Sequence, residues 1–231
     1  MYNSHALDWS AILLSLRLAS ATTVILLIIG LPLAGWLALS DRRGRWAVDA
    51  LVALPLVLPP TVLGFYVLVA LGPRSPIGQA YEAMTGGTIV FSFPGLLVAS
   101  VLYSLPFAVQ PFAAAFAAVD KGLIETAWCL GASRARTFVR IVLPLARPGI
   151  IAGTVLSFAH TVGEFGVVLM VGGNLAGTTR TVSISIYDDV QAFDYARAGR
   201  TAALLFAFAF VVLAWTYRLQ RRSGRSWPLG S

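Results

Sequence analysis

Glu125-Thr126-Ala127-Trp128-Cys129-Leu130-Gly131, nine intervening residues, then Ile141-Val142-Leu143-Pro144: this stretch sits in a basic segment between two long apolar runs. The pattern predicts a short helix over Asp120–Cys129, with Leu123, Ala127 and Leu130 sharing a face by i, i+3 and i+4 spacing. Gly131 then fits a helix stop in the left-handed region. Glu125 lies near the helix start, where a negative charge is favoured by the helix dipole. The small Ala127 is expected to let another protein's surface come close, and Pro144 and Pro148 to break the chain before the next apolar run. The plainer alternative is an amphipathic helix lying on a membrane.

The flanking runs settle the compartment. The chain has 231 residues, 58% hydrophobic and 12% charged, against roughly 25% charged in soluble domains; its mean hydropathy is +0.79. A membrane span needs about 20 residues, at a rise of about 1.5 Å each, to cross a core of roughly 30 Å. Leu18–Leu39, Ala50–Leu71 and Ser92–Val119 carry no charge, Pro148–Ala176 carries only Glu164, and Thr201–Tyr217 is the shortest. These long runs do not alternate as barrel strands would. The expectation is therefore a single all-α membrane domain over 1–231. About five transmembrane helices are expected near 11–39, 48–71, 92–118, 148–171 and 201–218, with a cytoplasmic loop at 119–147.

Charge placement predicts orientation. Arg42, Arg43 and Arg45, then Lys121, Arg134, Arg136, Arg140 and Arg147, then Arg218, Arg221, Arg222 and Arg225 occupy alternate segments. The intervening segments hold only Arg74, Arg180, Arg197 and Arg200. The positive-inside rule puts the first set in the cytoplasm, with the N-terminus outside and the C-terminus inside. The net charge of +7 thus reads as topology signal beside anionic headgroups and not as a nucleic-acid stripe. No basic n-region marks an ordinary signal peptide, and Cys129, the sole cysteine, excludes an internal disulfide.

Proline and polar residues inside the runs point to a pathway. Leu54–Gly64 reads LPLVLPPTVLG, with Pro55, Pro59 and Pro60 removing donors and opposing a straight helix. Either a bent, pathway-lining helix or a packing kink follows. Thr22, Thr61 and Ser104 offer hydroxyls. Glu164 is an ionisable group within a run, expensive and functional by default. His160 is four residues away on the same helix face, and Arg17 is a second candidate counter-charge. A proton relay or a structural pair would both use such neighbours. No metal site is expected, since more ligands would be needed. Thr181–Tyr187 alternates as a short strand would, or forms an interfacial helix. The single lysine, Lys121, excludes a P-loop, and no His-Glu-x-x-His occurs. Ser157 near His160 is no evidence of a hydrolase. An enzyme is not expected.

Glu125, Ala127, Gly131, Ile141, Leu143 and Pro144 together resemble the EAA loop of ABC importer permeases, with Thr126 where a second Ala is usual. LPLVLPPTVLG, Ser104-Leu105-Pro106-Phe107, Leu130–Ser133 with Thr137-Phe138, Gly163-Glu164-Phe165-Gly166 and Ile186-Tyr187 are similar to the molybdate permease subunit family over about residues 9–217. His160 stands where that likeness leads one to expect Arg. The resemblance implies a type I ABC importer permease fold in the bacterial inner membrane and a second copy of the chain around one pathway. It implies two cytoplasmic ATPases, which would bind ATP and Mg, so no cofactor belongs to this chain. An extracytoplasmic oxyanion-binding protein would complete the system, with no nucleic acid. Glu125, Thr126, Ala127, Gly131, Ala132, Ser133, Ile141, Leu143 and Pro144 would couple to the ATPase. Thr22, Pro59, Pro60, Thr61, Ser104, His160 and Glu164 are the pathway candidates. Molybdate is the expected cargo; tungstate or sulfate/thiosulfate import is the alternative, and a proton-coupled secondary transporter using Glu164 and His160 the remote one.

Overall fold

A computed structural model describes residues 7–40 and 43–223. Arg42 and Arg225, counted above among the inner charges, and the side chains of Arg221 and Arg222 lie outside what is described. Every regular element among the described residues is helical.

Helix α1 (Trp9–Leu39) opens on Asp8, whose side chain accepts from the Ala11 amide, satisfying one orphan donor of the first turn. Its buried residues Ala11, Ser15, Leu18, Thr22, Leu26, Gly30, Ala34 and Leu37 recur every three or four positions, a seam of the right period for helix packing. That seam meets α5 (Phe93–Ala117) and α9 (Arg147–Gly163), and the three helices form the centre of the molecule. Phe112 of α5 is wedged between two glycines. A Cβ at Gly30 would lie 3.6 Å from its ring, and one at Gly153 only 2.7 Å. Small residues permit this approach, which is how helices pack without a hydrophobic driving force in lipid. Leu26, Leu37, Val109, Phe116 and Val142 extend this core.

The second apolar run folds into two helices. α2 (Arg45–Val57) and α3 (Pro60–Leu71) meet at 112°. The break follows from stereochemistry: a residue before proline is pushed from the α region toward extended backbone. Leu58, before Pro59, has ψ 135°, and Pro59, before Pro60, has ψ 137°. Pro55 is carried inside α2. α4 (Pro76–Thr85) follows, capped by Ser75. Pro94 sits in the first turn of α5, where a missing N–H costs nothing, while Pro106 and Pro111 are carried inside that helix.

Beyond α5, α6 (Lys121–Cys129) and α7 (Arg134–Thr137) lead into a π-helical turn, Phe138–Val142, and α8 (Leu143–Leu145). Pro144 lies inside this continuation, and the chain turns by 74° ahead of α9. The fourth run is interrupted after Gly163. Glu164 is extended, and α10 (Gly166–Gly172) resumes beyond Phe165 to pack on α3 and α5. α11 (Val182–Gln191) and α12 (Tyr195–Ser223) lie against α9. Thr181–Tyr187 is thus not a strand: Thr181 caps α11 instead, its hydroxyl accepting from the Ile184 amide. The Val182 amide donates to Ser15 at 2.8 Å, tying α11 to α1.

Among the described residues three helices are long and apolar enough to cross a bilayer: Trp9–Leu39, Phe93–Ala117 and Tyr195–Thr216. Two bent pairs, Arg45–Val57 with Pro60–Leu71 and Arg134–Leu145 with Arg147–Gly163, raise the number to five if each counts as one span.

Candidate functional site

Two places gather the residues singled out in the sequence. The first is the polar loop after α5. Asp120 caps α6 by accepting from the Gly122 amide at 2.8 Å, and Thr126 donates to the Gly122 carbonyl at 2.7 Å. The helix stops in a Schellman arrangement. Gly131 adopts φ +81°, its amide donates to the Trp128 carbonyl, and the Ala132 amide donates to the Ala127 carbonyl, both at 2.9 Å. Ser133 then caps α7, accepting from the Arg136 amide at 3.2 Å.

The face reading needs correction. Ala127 is buried, with Ile124, against its own chain, while Leu123 and Leu130 are exposed, Leu130 at 83%. Ala127 therefore does not offer itself to a partner. Ile124 and Ala127, three apart, dock α6 onto the molecule and turn Leu123, Glu125, Thr126, Trp128 and Leu130 outward. Trp128 also lies under the Arg134 guanidinium, 5.8 Å from the ring centre. On the far side of the loop Ile141, Leu143 and Pro144 are half-buried and Val142 is fully buried. Phe138 stacks edge-on against Phe116 at 5.2 Å, and a Cβ at Gly35 of α1 would meet its ring at 2.8 Å. The loop is thus anchored to α5 and α1 through Phe138 and Val142. The sequence pointed to both only as parts of motifs, Phe138 in Thr137-Phe138 and Val142 in Ile141–Pro144, and gave neither an anchoring role.

The second place is a groove of about 550 Å³ lined by Pro60, Thr61, Tyr103, His160, Glu164 and Phe165, and closed by α10 residues. Four of the seven pathway candidates meet there. Pro59 sits at the adjoining break as the cap of α3. Thr22 is wholly buried in the α1 seam. Ser104 lies behind the groove, hydrogen-bonded to Thr161 at 2.9 Å. The groove owes its shape to close packing: a Cβ at Gly64 would lie 2.7 Å from Met170 Cβ, and one at Gly166 2.6 Å from Pro60 Cβ.

The His160 ring is held edge-on by Tyr103 and Phe107. Glu164 is 4% exposed. Ser100 of α5 lies beside it, yet neither carboxylate oxygen meets a donor in hydrogen-bonding geometry. Arg17 is not its counter-charge; the guanidinium stacks 4.5 Å over the Phe93 ring instead. His160 and Glu164 share the groove without an ion pair between them. Among the described residues no three His, Cys, Asp or Glu side chains come together as metal ligands would.

Around α11 and the start of α12 the charges do pair. Asp189 meets Arg197 at 3.5 Å, and Asp188 meets Arg180 at the same distance with Asn174 between them. Burial pushes the Asp189 carboxyl up, with Arg197 opposing it.

Apolar helices broken at prolines and at an acidic residue, joined by a polar loop that carries a stopped helix, define an integral membrane protein. The chain belongs to the family described as binding-protein-dependent transport system inner membrane component, which matches residues 11–224. It is 54% identical over 214 residues to the molybdenum transport system permease protein ModB of Azotobacter vinelandii, covering 93% of this chain and 95% of that one. To ModB of Escherichia coli strain K12 it is 38% identical over 223 residues, covering 94% and 97%. The inward-facing MetNI methionine ABC transporter shares its fold at a TM-score of 0.73 and 17% identity, covering 94% of this chain and 96% of that one. The architecture is the type I ABC importer permease fold, and the chain is the non-catalytic membrane subunit of a transport system.

Proposed function

We propose that this chain forms the translocation pathway of an ATP-driven, binding-protein-dependent oxyanion importer, with molybdate as its cargo. The observation that carries the reading is the 54% identity, over nearly the whole chain, to a protein named for molybdenum transport. Two copies enclose one pathway. Two cytoplasmic ATPases, which bind ATP and Mg, grip the outward face of α6 (Leu123, Trp128 and Leu130) together with Glu125, Thr126 and the Gly131–Ser133 turn. Buried Val142 and half-buried Phe138 pass their motion to α5 and α1. A binding protein delivers the anion from outside. Orientation follows the basic segments: N-terminus outside, C-terminus inside, in the bacterial inner membrane.

The groove offers hydroxyls, an imidazole and a carboxyl group, and its lining contains no lysine or arginine. Weak contacts let a cargo leave, so the choice among oxyanions belongs to the binding protein. The test is ATPase activity of the reconstituted complex with binding protein loaded with molybdate, tungstate or sulfate. Molybdate should stimulate most. Stimulation by sulfate alone would reassign the cargo, and uptake by the isolated chain without nucleotide would end the reading.

A further inference from the structure

The groove contains one charge-bearing group that the surrounding fold leaves unanswered. Both oxygens of Glu164 are buried and unpartnered, and the side chain lines the groove. The neighbouring elements offer no cation to it. α3 and α10 carry no charged residue, and neither does α5, whose titratable group here is Tyr103. α9 contributes His160, with Arg147 at its opposite end. Arg17 of α1 is engaged with Phe93. The acids of α11, Asp188 and Asp189, pair with Arg180 and with Arg197 of α12.

An ionised carboxylate in such surroundings is strongly disfavoured unless something in the groove supplies a donor. A fully ionised oxyanion cannot supply one, because its oxygens only accept. It would also be repelled by a like charge across a low-dielectric gap. The neutral acid reverses both effects: it has one O–H to donate, and it removes the repulsion. Thr61, Tyr103 and His160 stand on the same groove as further donors.

We propose that Glu164 meets the cargo as a carboxylic acid, donating its O–H to an oxyanion oxygen, and so sets the protonation state in which the groove admits the anion. This rests on the oxyanion-importer reading above and leaves the choice among oxyanions to the binding protein.

The experiment uses the full complex in proteoliposomes. Molybdate uptake per ATP hydrolysed is followed from about pH 5.5 to about pH 8.5, a range wide enough to titrate a buried carboxyl group. The wild type should lose about tenfold in uptake for each pH unit beyond the point where Glu164 is ionised. Glu164→Gln keeps a donor of the same shape and cannot ionise, so its profile should be flat, near the wild-type acidic value. Glu164→Asp should keep the slope. A Gln variant with the wild-type slope overturns the proposal, and so does one that assembles and hydrolyses ATP but transports at no pH. Should the Gln variant fail to assemble, infrared difference spectra of the wild-type complex still decide. Adding molybdate should perturb a protonated-carboxyl band that moves in Glu164→Asp, and no such band overturns the assignment. If molybdate-loaded binding protein fails to stimulate ATP hydrolysis even in the wild type, the importer reading itself has failed.

Discussion

Replacing Gly131 by alanine isolates what the helix stop contributes. Gly131 sits at φ +81°, and a Cβ built there meets nothing within 4 Å. The substitution therefore adds no clash, and its whole cost is that of holding an L-residue in the left-handed region, about 1–2 kcal/mol. That cost falls on a helix of nine residues, too short to be stable on its own, whose last carbonyls at Ala127 and Trp128 depend on the Gly131 and Ala132 amides. A penalty of 1–2 kcal/mol converts to a factor of about 5–30 in the population of the stopped form. Affinity for the ATPase subunits, titrated in detergent, should weaken by up to that factor. Hydrogen exchange at the two amides should quicken in parallel. Gly131→Asn, which tolerates the left-handed region better, should recover most of the loss. Gly177, at φ +75° with nothing within 4 Å, lies in the segment between α10 and α11. Its alanine variant carries the same strain and should leave ATPase affinity untouched. Wild-type affinity in Gly131→Ala, or an equal loss in Gly177→Ala, would refute the reasoning.

Two further outcomes follow from the packing and the caps. Gly64→Ala should destabilise the purified protein by about 1–3 kcal/mol through overpacking, because its Cβ would approach Met170 Cβ to 2.7 Å and Val167 Cα to 3.2 Å. Gly44→Ala, with open space around it, should leave the thermal midpoint unchanged. Asp8→Ala should cost α1 about 0.5–2 kcal/mol at neutral pH by removing its cap. Burial pushes the Asp8 carboxyl up, but the Ser10 hydroxyl, the Ala11 amide and the Arg180 and Arg197 charges together hold it below its usual 3.8. Its contribution is present above pH 3.8 and lost as pH falls through the lowered value. Unfolding midpoints of the two proteins should therefore converge in acid and separate toward neutrality; a gap that widens in acid would contradict the assignment.

The sequence determined what backbone stereochemistry and side-chain solvation decide locally. Charge-free runs had to become apolar helices, because lipid offers a bare backbone no hydrogen bonds. Pro59 and Pro60 had to interrupt their run, since each forces the residue before it out of the helical region. The helix over Asp120–Cys129 and its stop at Gly131 were legible because a cap and a left-handed glycine act within one turn.

What only the tertiary structure decided is which surfaces meet. Spacing put Leu123, Ala127 and Leu130 on one helix face, but Ile124 and Ala127 turned inward once buried Val142 and half-buried Phe138 supplied a wall to pack on. The alternation in Thr181–Tyr187 lost to the Thr181 cap and the Ser15 hydrogen bond 167 positions away. Arg17 was close enough in composition to be a partner for Glu164, and Phe93 took it instead. The groove closed by Gly64 and Gly166 and the isolation of Glu164 depend on distances between residues far apart in the chain, which local propensity does not encode.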